Sequence, residues 1–123
     1  MTDKGYQIAT KLVRGGHNRS ENRETSEALY MTSGFVYDSA EQAAAAFRDE
    51  IDTFVYSRYG NPTVKMFEQR LALLEGAEAC RATGTGMAAV FGALACQLKS
   101  GDRILASRAL FGACYAILTK ILP

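Results

Sequence analysis

Apolar residues recur at helical spacing in the middle of the chain and gather into short runs after it. Val64, Phe67, Leu71 and Leu74 follow one another at three- and four-residue steps, which places them on one face of a helix and predicts that this face is core. The ends of that helix are marked as well. Asn61 can cap it, Pro62 suits the first helical position, and Gly76 can close it. Ser39-Ala40-Glu41-Gln42 has the form of a capping box and predicts an earlier helix running through Asp49. Residues 1–38 show little periodicity and include the polar run from Arg14 to Glu24, so they can bury little apolar surface locally. Leu29-Tyr30-Met31 and Phe35-Val36-Tyr37 interrupt this polarity with apolar anchors, and the expectation is an arm docked on another surface rather than a frayed tail.

Beyond Gly76 the pattern changes. A strand at about Ala79 to Thr83 leads through a turn to a helix from Gly86 to Leu98. A turn at Ser100-Gly101-Asp102, a strand from Arg103 to Ser107, a loop and a helix from Gly112 to Leu122 follow. Strands alternating with helices predict an α/β architecture with a parallel sheet covered on both faces. The helix from Gly86 is apolar nearly all round and is expected to be buried. Two strands are fewer than a parallel sheet usually has, so the expected sheet is incomplete. The predicted organisation is an arm with the first helix over residues 1–55 and the start of an α/β domain over residues 56–123.

Composition narrows the function classes. With 48% hydrophobic and 22% charged residues the chain is expected to fold rather than remain a disordered tail. Fourteen basic residues against thirteen acidic ones leave a formal charge of +1, too little for a field that would hold nucleic acid or an anionic membrane. Cys80, Cys96 and Cys114 are odd in number and form no C-x-x-C pair, which argues against a disulfide framework or a zinc site and for a reduced, cytoplasmic protein. The N-terminus carries Asp3 and Lys4 and no apolar signal core, and the near-apolar run from Met87 to Cys96 is too short to span a bilayer. His17 has no second His and no neighbouring Cys, so it is expected to be solvated rather than a metal ligand or a triad member. No Gly-x-Ser-x-Gly elbow supports a hydrolase.

Two segments carry the candidate chemistry. Tyr56-Ser57-Arg58-Tyr59-Gly60-Asn61-Pro62-Thr63 places a phenol and a guanidinium two residues apart on what reads as an extended segment, on the same side of the chain, where they can grip a phosphate. Ala82-Thr83-Gly84-Thr85-Gly86-Met87-Ala88 is a small-residue turn from strand to helix, so free backbone N–H groups and the positive helix end converge on a point suited to an anion. A tight connection that only permits close packing accounts for the turn equally well when it is taken alone. Arg58 as a surface charge, with Tyr56 and Tyr59 as core aromatics, is the corresponding alternative for the first segment. Gly84-x-Gly86-x-x-Ala89 loosely matches a dinucleotide fingerprint, but the following strand ends in Ser107 and Arg108 without the ribose-binding acid, leaving only an NADP-type site on Arg108. No Gly-Lys-Ser/Thr is present for a nucleoside triphosphate loop.

Taken together these residues resemble the pyridoxal-phosphate enzymes of cysteine and methionine metabolism, the family of cystathionine γ-synthase, methionine γ-lyase and the homoserine-ester sulfhydrylases. The resemblance runs through Glu27 to Phe35, the Tyr56 to Thr63 motif, Leu71-Ala72-Leu73-Leu74-Glu75-Gly76 and the Gly86-Met87-Ala88-Ala89 turn. It implies a fold-type I transferase, of which this chain supplies the N-terminal arm and the first part of a cofactor domain with a mostly parallel sheet. Pyridoxal 5'-phosphate is the implied cofactor. The resemblance assigns its phosphate to the backbone N–H groups of Gly86 and Met87 within one subunit and to Tyr56 and Arg58 of a neighbouring subunit, in a homo-oligomer of the homotetramer type. Phe111, in Phe111-Gly112-Ala113-Cys114, stands where members often have Tyr-Gly-Gly-Thr; it can stack on the pyridine ring but has no hydroxyl for a proton step. Leu110-Phe111-Gly112 is most similar to the O-succinylhomoserine sulfhydrylase branch, which implies O-succinylhomoserine and sulfide as substrates and homocysteine as product. The family's cofactor-binding lysine belongs to a downstream Ser-x-Thr-Lys context. Thr10-Lys11 and Thr119-Lys120 do not match it, so no catalytic residue is assigned. The chain by itself is expected to be inactive, with a non-catalytic module that docks on full-length subunits as the alternative.

Overall fold

Asn61 starts the best-marked helix. In the structure, a computed structural model describing residues 5–123, α3 spans Pro62–Glu75, with Asn61 Oδ1 accepting the Thr63 N–H at 2.9 Å, Pro62 in the first turn and Gly76 closing the helix at φ 64°. Asp3 and Lys4 lie outside the described residues. The expected capping box forms at α2, Ala40–Phe47, where Ser39 Oγ accepts the Gln42 N–H at 3.1 Å. Gln42 Oε1 reaches back to the Asp38 N–H at 2.6 Å, one residue before the cap, and thereby ties down the entry to the helix. This helix ends two residues short of Asp49, which adopts a left-handed φ of 55° and cannot continue it.

The described residues fall into two units, one running to Arg81 and the other starting at Ala82. In the first, residues 5–38 are more ordered than their composition predicts. Ile8–Arg14 form α1, which packs on α3. Gly16 then runs directly along the α3 backbone: a Cβ added there would lie 2.7 Å from the Met66 carbonyl oxygen and 2.9 Å from the Arg70 nitrogen, and its φ is +69°. Glycine satisfies both demands at once. Arg70 fastens the same stretch, donating from Nε to the Gly15 carbonyl at 2.9 Å and from its terminal nitrogen to the Glu27 carboxylate. The Ser20 N–H and hydroxyl both donate to the Glu24 carboxylate, at 2.8 and 2.7 Å.

Those contacts favour the charged form of both carboxylates. The two Ser20 donors hold the Glu24 carboxyl down at about 2, and the Arg70 hydrogen bond holds Glu27 below the usual carboxylate range. His17, expected in solvent, is instead 6% exposed, and its Nε2 has no hydrogen-bond partner among the described residues. The two preceding glycines account for this burial, because they let the chain approach the α3 backbone closely just before His17.

The predicted core face of α3 also needs correction. Val64 and Phe67 are exposed and Leu71 and Leu74 half-buried, whereas Met66 is buried. α1 and the Gly15-Gly16 turn cover the Met66, Arg70 and Leu73 side instead. Among the described residues only Ala46, Met66 and Ile117 form buried hydrophobic core. The anchors of the arm behave unequally: Phe35 lies 5.4 Å from the Phe54 ring and Tyr30 is pinned to α3 through its backbone, while Met31 and Val36 are 95% and 98% exposed.

In the second unit, α4 covers Gly86–Ala95, and α5, Gly112–Ala116, runs into a π-helical turn at Ile117–Ile121. α4 was expected to be buried, yet none of its residues is: α5 packs on it but leaves Met87, Val90 and Leu94 half-buried and Phe91 exposed. The expected strands, residues 79–83 and 103–107, run without ladder partners; a parallel strand exists only through neighbours on its edges, and the one β-bridge among the described residues is the isolated antiparallel pair Gly34 and Tyr56. No helix among the described residues is long and apolar enough to cross a membrane.

Candidate functional site

Tyr56 and Arg58 are brought together by a turn, not by the extended segment the sequence suggested. The Tyr56 carbonyl accepts the N–H groups of Tyr59 at 2.9 Å and Gly60 at 3.1 Å, which reverses the chain immediately before the α3 cap. The Arg58 guanidinium carbon lies 5.5 Å from the Tyr56 ring centroid and 5.1 Å from that of Tyr59, within the range of cation–π attraction.

Polar contacts, several of them half-buried, hold this turn against the arm. Ser57 donates its N–H to the Ser33 carbonyl at 2.9 Å and its hydroxyl to the Thr32 carbonyl. Asn61 is buried, and its Nδ2 donates to the Tyr30 carbonyl at 2.9 Å and to Ser57 Oγ at 3.0 Å. Thr63 Oγ1 accepts the Tyr30 N–H at 2.9 Å. Both backbone groups of Tyr30 are therefore satisfied by side chains at the start of α3, as strand pairing would otherwise satisfy them. Sequence reasoning read Asn61 only as a cap and assigned Ser57 and Thr63 no role. Hydroxyl and amide side chains at positions 57, 61 and 63 were visible, but their partners lie 25 to 33 residues away. Beside this junction is an open hollow of about 270 Å³, bordered by Leu29, Met31 and Val64, all of them exposed.

The Gly86 and Met87 element belongs to the second unit. Thr85 caps α4, its Oγ1 accepting the Ala88 N–H at 3.1 Å, while the Thr85 carbonyl takes the N–H of Ala89 at 3.1 Å. The amides of Gly86 and Met87, at the first two positions of the helix, have no intrahelical acceptor. They are the two donors that the cap leaves over. A Cβ built on Gly84 or on Gly86 would meet no atom within 4 Å, so the approach to these amides is open. Residues 82–88 contain no acidic side chain. Two unclaimed N–H groups, the positive end of a ten-residue helix and clear access fit a phosphate group. Thr85 is the contributor that the sequence reading passed over, although a threonine three residues ahead of a paired amide is a recognisable capping signal.

Phe111 occupies the N-cap position of α5 and is 74% exposed, with its ring free to stack on a planar group. No His, Cys, Asp and Glu cluster able to hold a metal occurs among the described residues.

Comparison with known proteins adds independent findings. Residues 9–123 match the family model described as Cys/Met metabolism PLP-dependent enzyme. The chain is 56% identical over 119 residues to the O-succinylhomoserine sulfhydrylase of Mycobacterium tuberculosis, covering 97% of this chain and 29% of that protein. It is 44% identical over 117 residues to the protein of the same name from Pseudomonas aeruginosa, covering 95% of this chain and 29% of the relative. Among solved structures, one from Campylobacter jejuni described as an O-acetylhomoserine (thiol)-lyase, which contains N'-pyridoxyl-lysine-5'-monophosphate, superposes with a TM-score of 0.86 at 30% identity. That match covers 94% of this chain and 28% of the other. The chain thus spans somewhat under a third of the length of the relatives it matches.

Proposed function

The chain belongs to the Cys/Met metabolism PLP-dependent enzymes, and from that premise we propose that it is the phosphate-anchoring part of a sulfhydrylase that makes homocysteine from O-succinylhomoserine and sulfide. The observation that carries the reading is the pair of unclaimed amides at Gly86 and Met87 on a Thr85-capped helix, in a chain 56% identical to an O-succinylhomoserine sulfhydrylase. When bound, pyridoxal phosphate supplies the electron sink that replacement at the γ-carbon requires.

Each residue of this chain has a separate task. Gly86 and Met87 donate their N–H groups to the phosphate, where the helix dipole adds to the attraction. Tyr56 adds a hydroxyl and Arg58 a guanidinium, from a neighbouring subunit. Phe111 stacks on the pyridine ring and, having no hydroxyl, leaves proton movement to groups elsewhere in the assembled site. Support for an oligomer comes from the exposed apolar rim of Leu29, Met31 and Val64 beside the Tyr56 to Thr63 turn, which a neighbour would remove from water. The 123-residue chain by itself is inactive on this reading, because neither Lys11 nor Lys120 lies in the sequence context of the family's cofactor lysine. We place the assembled enzyme in the cytoplasm as a homotetramer.

The test is an assay of the full-length protein carrying this sequence, with O-succinylhomoserine and sulfide and with homocysteine as the measured product. Homocysteine formed faster from sulfide than cystathionine from cysteine, with little thiol released from methionine, supports the sulfhydrylase reading. Preferred formation of cystathionine, or cleavage of methionine as the main activity, moves the protein to another branch of the family. An intact mass measured on the natural protein tests directly whether these residues are part of a longer chain.

A further inference from the structure

Resting on the reading that Arg58 binds a cofactor phosphate, we infer that Tyr59 is a positioning residue that holds the Arg58 guanidinium ready for that phosphate. Tyr59 is 78% exposed, so core packing does not account for where its ring lies. Its backbone is fixed by the N–H bond to the Tyr56 carbonyl at 2.9 Å, and its ring centroid is 5.1 Å from the guanidinium carbon of Arg58, closer than the 5.5 Å to Tyr56. Among the described residues Arg58 has no carboxylate partner. The aromatic contacts are therefore what restrain it.

Such restraint leaves the binding edge free. An aromatic face attracts the guanidinium charge without supplying a conventional hydrogen-bond acceptor, so the five N–H donors remain available to phosphate oxygens. An arginine held in this way has already given up rotamer freedom before the anion arrives, so less is lost on binding. The turn that supplies Tyr59 is itself fastened by Ser57 and Asn61, which gives the ring a fixed base. Tyr56 is expected to touch the phosphate through its hydroxyl, but Tyr59 needs only its ring, and phenylalanine should replace it.

The experiment compares Tyr59→Leu, Tyr59→Phe, Arg58→Ala and the Tyr59→Leu/Arg58→Ala double variant in the full-length apoprotein. Equilibrium dialysis would measure the Kd of each for pyridoxal phosphate and for pyridoxal, which lacks the phosphate. Arg58→Ala should weaken pyridoxal phosphate by roughly ten- to a hundredfold, and Tyr59→Leu by about two- to fivefold. Tyr59→Phe should match the parent, pyridoxal affinity should not change, and Tyr59→Leu should cause no further loss once Arg58 is absent. If Arg58→Ala weakens binding but Tyr59→Leu does not, or Tyr59→Leu weakens both ligands alike, or its loss persists without Arg58, the positioning role is overturned while the Arg58 assignment stands. If Arg58→Ala leaves pyridoxal phosphate affinity unchanged, both are overturned.

Discussion

Replacing Asn61 by aspartate separates two roles that the structure gives to one buried side chain. Aspartate keeps the oxygen that accepts the Thr63 N–H and so preserves the α3 cap, worth about 1 kcal/mol. It removes both donated bonds, to the Tyr30 carbonyl and to Ser57 Oγ. Ser57 cannot readily compensate, since its hydroxyl proton is already given to the Thr32 carbonyl. Each lost bond is worth about 1 kcal/mol, a half-buried Tyr30 carbonyl left unsatisfied adds up to about 1 kcal/mol, and the helix dipole returns about 0.3–1 kcal/mol to the new carboxylate. A net loss of about 2 kcal/mol follows. If that loss falls on the docking of the arm, it corresponds to a roughly thirtyfold rise in local opening. Hydrogen exchange in the full-length protein would read it at the amides of Tyr30 and Ser57, which bond to Thr63 Oγ1 and the Ser33 carbonyl. Asn61→Ala should expose the same amides and also fray the first turn of α3. Protection within twofold of the parent in Asn61→Asp, together with a large loss in Asn61→Ala, would refute the reasoning and reduce Asn61 to a cap.

Gly16→Ala should destabilise the protein by about 2 kcal/mol or more, because the new Cβ meets α3 backbone rather than a flexible side chain and the left-handed φ disfavours any Cβ; an unchanged thermal midpoint would contradict the close approach of the arm to α3. Glu24 has a folded pKa near 2, below the unfolded value of about 4.3 for glutamate, so its stabilising contribution is present above the unfolded value and is lost as pH falls toward 2. Proteolysis within residues 14–27 should therefore accelerate between about pH 4 and 2, and Glu24→Gln should weaken that dependence, leaving the share that the Arg70-bonded Glu27 contributes; equal pH profiles in the two proteins would count against the Ser20 contacts. The 123-residue chain prepared alone should self-associate and show no sulfhydrylase activity, since the three buried apolar side chains among the described residues cannot offset the exposure of residues such as Met31, Val36, Leu105 and Phe111. A cooperative unfolding transition from a monomer, observed by size exclusion and thermal melting, would contradict this.

What the sequence reveals about this molecule divides along the range of the interactions involved. The starts of α2, α3 and α4 are legible because a cap and its first turn are neighbours in sequence, as Ser39 and Gln42, Asn61 and Thr63, and Thr85 and Ala88 are. The unclaimed amides at Gly86 and Met87 follow from the same local logic. The burial of His17 and the choice of Met66 over Val64 and Phe67 do not, because both depend on Gly16 meeting a helix fifty residues later. α1 was missed for a related reason: it is seven residues long, has no side-chain cap, and takes support from α3. Residues 79–83 and 103–107 have the apolar character of strands, but strand character becomes a strand only when neighbours complete the ladder. Tyr56 and Arg58 do not lie on the extended chain that the sequence suggests, since the turn between them is held by Asn61 and by an arm some 30 residues away.

The central claim is that one phosphate is shared between the Gly86 and Met87 amides of one subunit and Tyr56 and Arg58 of another. The most direct measurement is a crystal structure of the full-length protein grown with pyridoxal phosphate. Phosphate oxygens should lie roughly 2.7–3.2 Å from the amide nitrogens of Gly86 and Met87, with the guanidinium of a second subunit's Arg58 at similar distance. A phosphate held elsewhere, or an Arg58 that reaches only its own subunit's phosphate or solvent, would contradict it.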